Sequence, residues 1–227
     1  MRSSTRASLL PPLCALLLLV PGAAAAQERT VSVKGTATQE VPNDTAALRF
    51  SVSKERSSRA AALHIASTRL AAVIAAVQKV PGVGAGDVTT GQVSVRKVTR
   101  DERVVFRAGE GIAVILHQPD RAGEMVNAAV AAGATGTGGP RFFPGDPEAA
   151  YDNTLLVAFD LAKARASALA ARAGATLGPA ISIEEGSEVV PNQPAGAGAK
   201  GVAAPVPPTK PGGSTVTATV RVVFALE

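Results

Sequence analysis

The sequence predicts an α+β domain: mainly an antiparallel sheet, with about three helices packed on one of its faces. Three observations predict this class. Several segments alternate apolar and polar residues with a period of two, as half-buried strands do. Other, longer segments repeat apolar residues at steps of three and four, as amphipathic helices do. Short turn sequences join successive strand segments, and tight turns favour antiparallel pairing.

Residues 1–26 have the composition of a cleavable export signal. Two arginines precede the apolar stretch Leu9–Val20, which is about 12 residues long and so shorter than the ~20 that span a bilayer. Small residues then predict cleavage between Ala26 and Gln27. The alternative, an uncleaved membrane anchor, is disfavoured by the short apolar span. We therefore expect a mature domain, 27–227, that is periplasmic or extracellular.

The single cysteine of the chain, Cys14, lies within this apolar stretch. A lipoprotein cysteine would follow the stretch, so the sequence does not predict lipidation. Once the signal is removed, no thiol remains for a disulfide, a metal site or a nucleophile. The stability of the mature domain must then come from its core.

The first half of the mature chain predicts two strands followed by a helix. The strands cover 30–38 and 46–54, and the turn sequence Val41-Pro42-Asn43-Asp44 lies between them. The helix covers 57–80, with Ser57 or Ser58 as its N-cap and Pro81-Gly82 at its end.

The middle of the chain predicts a hairpin and a short helix. Its strands cover 88–100 and 103–117, with the charged segment Arg100–Arg103 at the tip. The helix begins at Pro119-Asp120, with Asp120 as its N-cap, and ends at Gly133.

The last third predicts a short strand at 141–143, a long helix, and two more strands. Asp146 is the expected N-cap of the helix and Pro147 its first residue. This helix runs to Gly174, and the C-terminal half of its inner face is mostly alanine, which allows close contact with a partner that we expect to be the sheet. Strands at 180–190 and 216–226 flank a Pro/Gly/Ala-rich loop at 191–213.

Charge and composition disfavour nucleic acid as a partner. Aromatic residues make up only 3% of the chain, which disfavours binding by base stacking. Without the export signal, 21 basic residues face 18 acidic ones, a net charge of +3. The basic residues are scattered along the sequence, and Arg96 and Arg100 are close to Asp101 and Glu102. A solvated surface of mixed charge is the expected arrangement.

No motif for catalysis or metal binding is present. His64 and His117 have no metal-ligand spacing and are expected at the surface or the edge of the core. The chain has no G-x-S-x-G sequence, and the glycines of 136–139 precede a strand rather than a helix, so they predict a turn or bulge instead of a phosphate site. We therefore predict no catalytic, cofactor-binding or metal-binding residue, no cofactor, and a protein that is not an enzyme.

Five segments, in order, resemble the SIMPL-domain family of bacterial periplasmic and outer-membrane-associated immunogenic proteins. They are VSVKGTATQEVPNDTAALRFSV, GDVTTGQVSV, AAVAAGATGTGGPRF, AKARASALAARAGATLGPAISIEE and PGGSTVTATVRVVFAL. The resemblance implies an α+β domain in the cell envelope that is often oligomeric, with ring- or channel-like assemblies in some relatives. It also implies a link to oxidative-stress tolerance, and it supplies no catalytic residues.

We therefore expect an exported, non-enzymatic envelope protein that self-associates or binds a partner, either an envelope protein or a membrane surface. The sheet face away from the helices is small and mildly polar, suited to a second subunit or to solvent. Its expected residues are Ala47, Arg49, Ser51, Thr217, Thr219 and Val223. The alternative is a small-ligand or lipid-binding module with a closed apolar pocket between sheet and helices, which the alanine face of the long helix disfavours.

Overall fold

The computed structural model describes residues 28–186 and 210–227. The segment 1–26, predicted to be an export signal, and most of the loop predicted at 191–213 lie outside these residues. The described chain is α+β, with three α-helices and eight antiparallel strands, which confirms the predicted class. The elements in chain order are β1 Thr30–Pro42, β2 Thr45–Arg56, α1 Arg59–Val77, β3 Val88–Thr90, β4 Ser94–Arg100, β5 Arg103–Leu116, α2 Ala122–Ala131, β6 Gly136–Phe143, α3 Pro147–Arg172, β7 Leu177–Glu185 and β8 Gly213–Leu226.

The strands form two sheets rather than one. A three-stranded sheet has the order β1-β8-β7. In a five-stranded sheet, β5 pairs with β2, β3 and β4, and β6 pairs with the other side of β2. Neighbouring β1 and β2 do not pair with each other, so the expectation that a tight turn would make them antiparallel partners was wrong.

Asn43, in the two-residue connection between β1 and β2, is held by the segment that enters β8. Its backbone N–H donates to the carbonyl of Gly212 at 3.1 Å, and its side-chain amide donates to the carbonyl of Pro211 at 2.9 Å. Its Oδ1 accepts from the hydroxyl of Ser214 at 2.6 Å. These bonds hold Asn43 beside the start of β8. After this connection the chain enters the five-stranded sheet as β2.

Helices cover one face of each sheet. α1 and α2 pack on the five-stranded sheet, where the largest fully buried side chains include Phe50 and Leu48 of β2. α3 packs on the three-stranded sheet through small residues that are completely buried, Ala158, Ala162 and Ala166. The expectation of helices on a single face therefore holds for each sheet separately.

α1 is a core helix, although it is long and apolar enough to cross a bilayer by length and composition. One stripe of it faces β2 and β5 and is buried, including Ala66 and Val73 at 0% exposure. It is the one such helix among the residues that the structure describes.

Two of the three predicted helix caps are confirmed. Ser58 accepts from the N–H of Ala61 at 3.1 Å, and Asp146 accepts from the N–H of Ala149 at 2.9 Å. Asp120 does not cap α2: it lies inside a 3-10 turn, Pro119–Arg121, that precedes the helix, and the turn has no side-chain cap. The proline already fixes the start of this turn, so the acid is not required there.

Two strands differ from their predicted bounds at positions that contain glycine. The strand predicted at 88–100 is interrupted at Gly91, so β3 and β4 pair separately with β5. β6 begins at Gly136, earlier than predicted, and the bulge predicted from its glycines occurs between the pairings of Ala47 and Arg49. Gly136 leaves room for the neighbouring strand, since a Cβ at this position would lie 2.5 Å from the Ser51 hydroxyl.

Candidate functional site

The helix-free face of the five-stranded sheet carries most of the arginines of this sheet. Side chains alternate between the two faces of a strand, and buried Leu48, Phe50 and Val52 mark the helix-covered face of β2. The other face of β2 and its register partners on β4, β5 and β6 point towards solvent. We call this surface the arginine face, after Arg49, Arg96, Arg100, Arg103, Arg107 and Arg141.

One carboxylate, Glu55, lies among these arginines on the described strands. Arg107 Nε donates to Glu55 Oε1 at 2.6 Å, and its Nη2 contacts the same oxygen. Arg100 approaches that oxygen to 3.6 Å. The hydrogen bond from Arg107, together with the positive charges of Arg107 and Arg100, lowers the pKa of Glu55. Glu55 therefore stays ionised in mildly acidic solution and offsets a single positive charge.

Three arginines of the face have no carboxylate partner within the described residues: Arg49, Arg96 and Arg103. All three are exposed. Two more acids, Asp101 and Glu102, form the tip of the β4–β5 hairpin next to this face. Both have positive φ (46° and 63°), as expected for a two-residue turn. Even if both turn acids are counted with Glu55, the six arginines exceed the acids by three.

The floor of the arginine face is made of glycine, and it is slightly concave. Gly111 of β5 and Gly136 of β6 lie on either side of Ser51, and Gly138 lies beside Arg49. A depression of about 420 Å³ lies over this floor. Because these residues have no long side chains, a flat partner could approach the sheet closely while the arginines around the floor contact it.

The outer edge of β1 is a second candidate surface. β1 is an outer strand of the three-stranded sheet and is 13 residues long. Its odd-numbered residues bond towards β8, as the carbonyl of Arg29 and the N–H of Asn43 show. Its even-numbered residues direct their backbone groups outwards, and Arg165 of α3 reaches over this edge to donate to the carbonyl of Lys34 at 2.7 Å.

Exposed apolar side chains of α3 lie beside this edge. Residues four apart share one flank of a helix, so Val157, Leu161 and Leu169 are on the same flank as Arg165, which marks the β1 side. Their exposed fractions are 38%, 40% and 53%. An unpaired strand edge with an apolar flank next to it is a typical place for one chain to pair with another.

The junction between the two sheets contains His117, whose ring pairs with a carboxylate. Asp87 lies 3.3 Å from His117 Nε2 and accepts from the N–H of Gly84 at 2.6 Å. The Gly84 hydrogen bond is the main cause of the lowered pKa of Asp87, and His117 adds to it. A depression of about 590 Å³, lined by His117, Asp44 and Asp120 among others, opens beside this pair.

The structure does not bring together the six residues that the sequence predicted on one sheet face. Ala47, Arg49 and Ser51 belong to the five-stranded sheet, whereas Thr217, Thr219 and Val223 belong to the three-stranded one. His64 is exposed on α1, and His117 follows β5 at the sheet junction, so the two histidines lie on different elements. The arginine face was missed because its residues are scattered along the chain. The signal that could have found it is the alternation of Arg96, Arg100, Arg103 and Arg107 within two predicted strands.

No cluster of three or more histidine, cysteine, aspartate or glutamate side chains that could hold a metal ion occurs in 28–186 or 210–227. Polar side chains in the described residues form other arrangements: Glu55 is shared by two arginines, Asp87 pairs with His117, and the amide of Asn43 bonds to the segment before β8.

Within 28–186 and 210–227, the fold is a two-sheet α+β domain in which no described element covers the arginine face or the outer edge of β1. A comparison with family models matches residues 31–224 to SIMPL, described as a protein of unknown function (DUF541). The chain therefore belongs to the SIMPL family, as its sequence segments suggested. A search of curated proteins found no match.

Proposed function

We propose that this protein is an exported, non-enzymatic component of the cell envelope that works by self-association, through pairing of β1 with β1 of a second copy. The observation that carries the proposal is the 13-residue outer edge of β1, with the exposed apolar flank of α3 beside it. The export signal predicted at 1–26 supports the location, and the oligomers expected from the SIMPL resemblance support the mode of action.

The geometry of β1 allows a symmetric, antiparallel pair. A two-fold axis at Ala37 would place each even-numbered residue opposite another even-numbered residue, and these residues have outward-directed backbone groups. In this register Lys34 lies opposite Glu40 of the second copy, and Thr36 lies opposite Thr38. Opposite charges at directly facing positions stabilise an antiparallel pair, and the symmetry forms the Lys34–Glu40 pair twice.

The flank of α3 adds apolar contact to this pairing. When two β1 strands pair, the helices on the same side of both sheets approach each other across the axis. Leu161 then moves from solvent towards the equivalent flank of the second copy. The hydrogen bond from Arg165 to the carbonyl of Lys34 would break, because a backbone N–H of the second copy's β1 would donate to that carbonyl instead. The resulting sheet would be continuous over six strands.

The alternative function, a small-ligand or lipid-binding module, requires space between sheet and helices. α3 leaves little, because a Cβ built on Gly35 of β1 would lie only 1.9 Å from the carbonyl oxygen of Ala158. Self-association is therefore the better supported of the two functions. A role in oxidative-stress tolerance is expected from the resemblance alone, and survival of a deletion strain under peroxide is its test.

The test is light scattering on the exported protein over a range of concentrations. We expect the mass of a dimer or of a higher, even-numbered assembly. Leu161→Lys should reduce this mass, because it places two charges at the proposed contact. Leu156→Lys is the matched control: Leu156 is 66% exposed on the same helix but lies away from the flank. A monomer at all concentrations, or equal effects of the two lysines, would contradict the proposal.

A further inference from the structure

We propose that the arginine face docks on an anionic membrane surface. This inference concerns the other sheet and does not depend on self-association. It rests on three properties of the face: its excess of positive charge, its open glycine floor, and the absence of a row of aromatic side chains among its described residues.

The charge is available for binding. Arg49, Arg96 and Arg103 are exposed and without carboxylate partners in the described chain, while Arg100 and Arg107 share the single carboxylate of Glu55. A guanidinium group binds phosphate through two parallel hydrogen bonds. The chemistry of the face therefore fits phosphate groups.

The arrangement of the arginines indicates an extended, flat partner. They occur on four neighbouring strands, β6, β2, β5 and β4, which at about 4.8 Å per strand spread them over ~14 Å. A single phosphate contacts far fewer of them. A layer of phosphate headgroups, by contrast, presents many anions in one plane, and the glycine floor at Gly111, Gly136 and Gly138 allows that plane to approach.

Apolar side chains at the margin of the face fit the same partner. Val98 and Val105 face each other near the hairpin tip, on the same side of the sheet as the arginines. Val93, in the connection between β3 and β4, is 58% exposed. Such side chains can enter the boundary between headgroups and acyl chains.

Single-stranded nucleic acid fits the face less well. Binding of this kind relies on aromatic side chains on which bases stack. Three of the four aromatic residues of this sheet, Phe50, Phe106 and Phe142, point to the helix-covered side, where they contact the core. The fourth, Phe143, is half-buried at the end of β6 on the same side as Arg141, so the face has one aromatic side chain at its margin and no row of them on which successive bases could stack. A lipid surface needs no stacking and is the partner that the observations favour.

The experiment is co-sedimentation of the full chain with phosphatidylcholine vesicles, with and without phosphatidylglycerol, at low salt. The readout is the difference between the two vesicle types, compared between the wild type and its variants. Residues 1–26, including Arg2 and Arg6, are the same in every variant, so their contribution cancels in that comparison. We expect binding to the anionic vesicles that weakens as salt is added, because salt screens exposed charges. Replacing Arg49, Arg96 and Arg103 by glutamine should lower the partition coefficient about fivefold per arginine, roughly 100-fold in total.

The matched control replaces Lys79, Lys163 and Arg172 by glutamine, three exposed cations away from the face: Lys79 in the turn after α1 and the other two on α3. It removes the same charge and should keep nearly all of the binding. Absence of wild-type binding to anionic vesicles, or equal losses in the two triple variants, would overturn the proposal. Tighter binding to single-stranded DNA than to anionic vesicles at the same salt would also overturn it, and would assign the face to nucleic acid.

Discussion

Replacing Gly35 by alanine tests how closely α3 packs on the three-stranded sheet. The added Cβ would lie 1.9 Å from the carbonyl oxygen of Ala158 and 2.9 Å from its carbon, and both atoms are helix backbone. Contacts of a Cβ below 3.0 Å essentially never occur, so α3 must move by more than 1 Å. Such a movement separates Ala158, Ala162 and Ala166 from the sheet. We expect Gly35→Ala to lower the free energy of unfolding by about 3 kcal/mol or more.

Urea denaturation followed by circular dichroism measures this loss, with Gly138→Ala as the control. A Cβ on Gly138 would meet only the Cβ of Arg49, at an ordinary 3.7 Å. The control should therefore change the free energy of unfolding by less than about 1 kcal/mol. If Gly35→Ala is as stable as Gly138→Ala, the close approach of α3 to β1 is refuted, and with it the argument against a ligand pocket there.

Two further predictions concern the junction of the sheets. Asn43→Ala should lower the free energy of unfolding by about 1–3 kcal/mol, because it leaves two half-buried hydrogen-bond partners, the Pro211 carbonyl and the Ser214 hydroxyl, without the amide; a loss below ~0.5 kcal/mol in urea denaturation would contradict its role. Asp87 has a lowered pKa, chiefly from the N–H of Gly84 and also from His117, so its stabilising effect is present above the ordinary carboxyl range and is lost as the pH falls through the lower folded pKa. Asp87→Asn should therefore reduce the decline of Tm in acid below about pH 4, and an unchanged acid decline would be evidence against the pairing.

Local signals in the sequence predicted most of the elements. Ser58 and Asp146 cap α1 and α3 as expected, because capping depends on a few adjacent residues. The alanine face of α3 correctly predicted close packing on a sheet. The division into two sheets was not predictable in this way, because β1 pairs with β8, which is far away in the chain, instead of with its neighbour β2.

The candidate surfaces depend still more on distant residues. Arg49, Arg107 and Arg141 come from three separate segments, and only the strand register brings them to one face. The order of charges along the sequence therefore predicted a surface of mixed charge, whereas the fold places an excess of arginine on one face of the five-stranded sheet. The outer edge of β1 was equally hidden, because a strand pattern does not show whether both of its edges are paired.

The central claim is that β1 pairs with β1 of a second copy, and exchange of two charges tests it most directly. Lys34→Glu alone and Glu40→Lys alone each place like charges opposite one another twice in the assembly, which should raise the dissociation constant about tenfold. The double variant, Lys34→Glu with Glu40→Lys, restores both attractive pairs. The account predicts that analytical ultracentrifugation finds weakened assemblies for the single variants and wild-type assembly for the double variant. Single variants that assemble as the wild type does, or a double variant weaker than either single one, would contradict it.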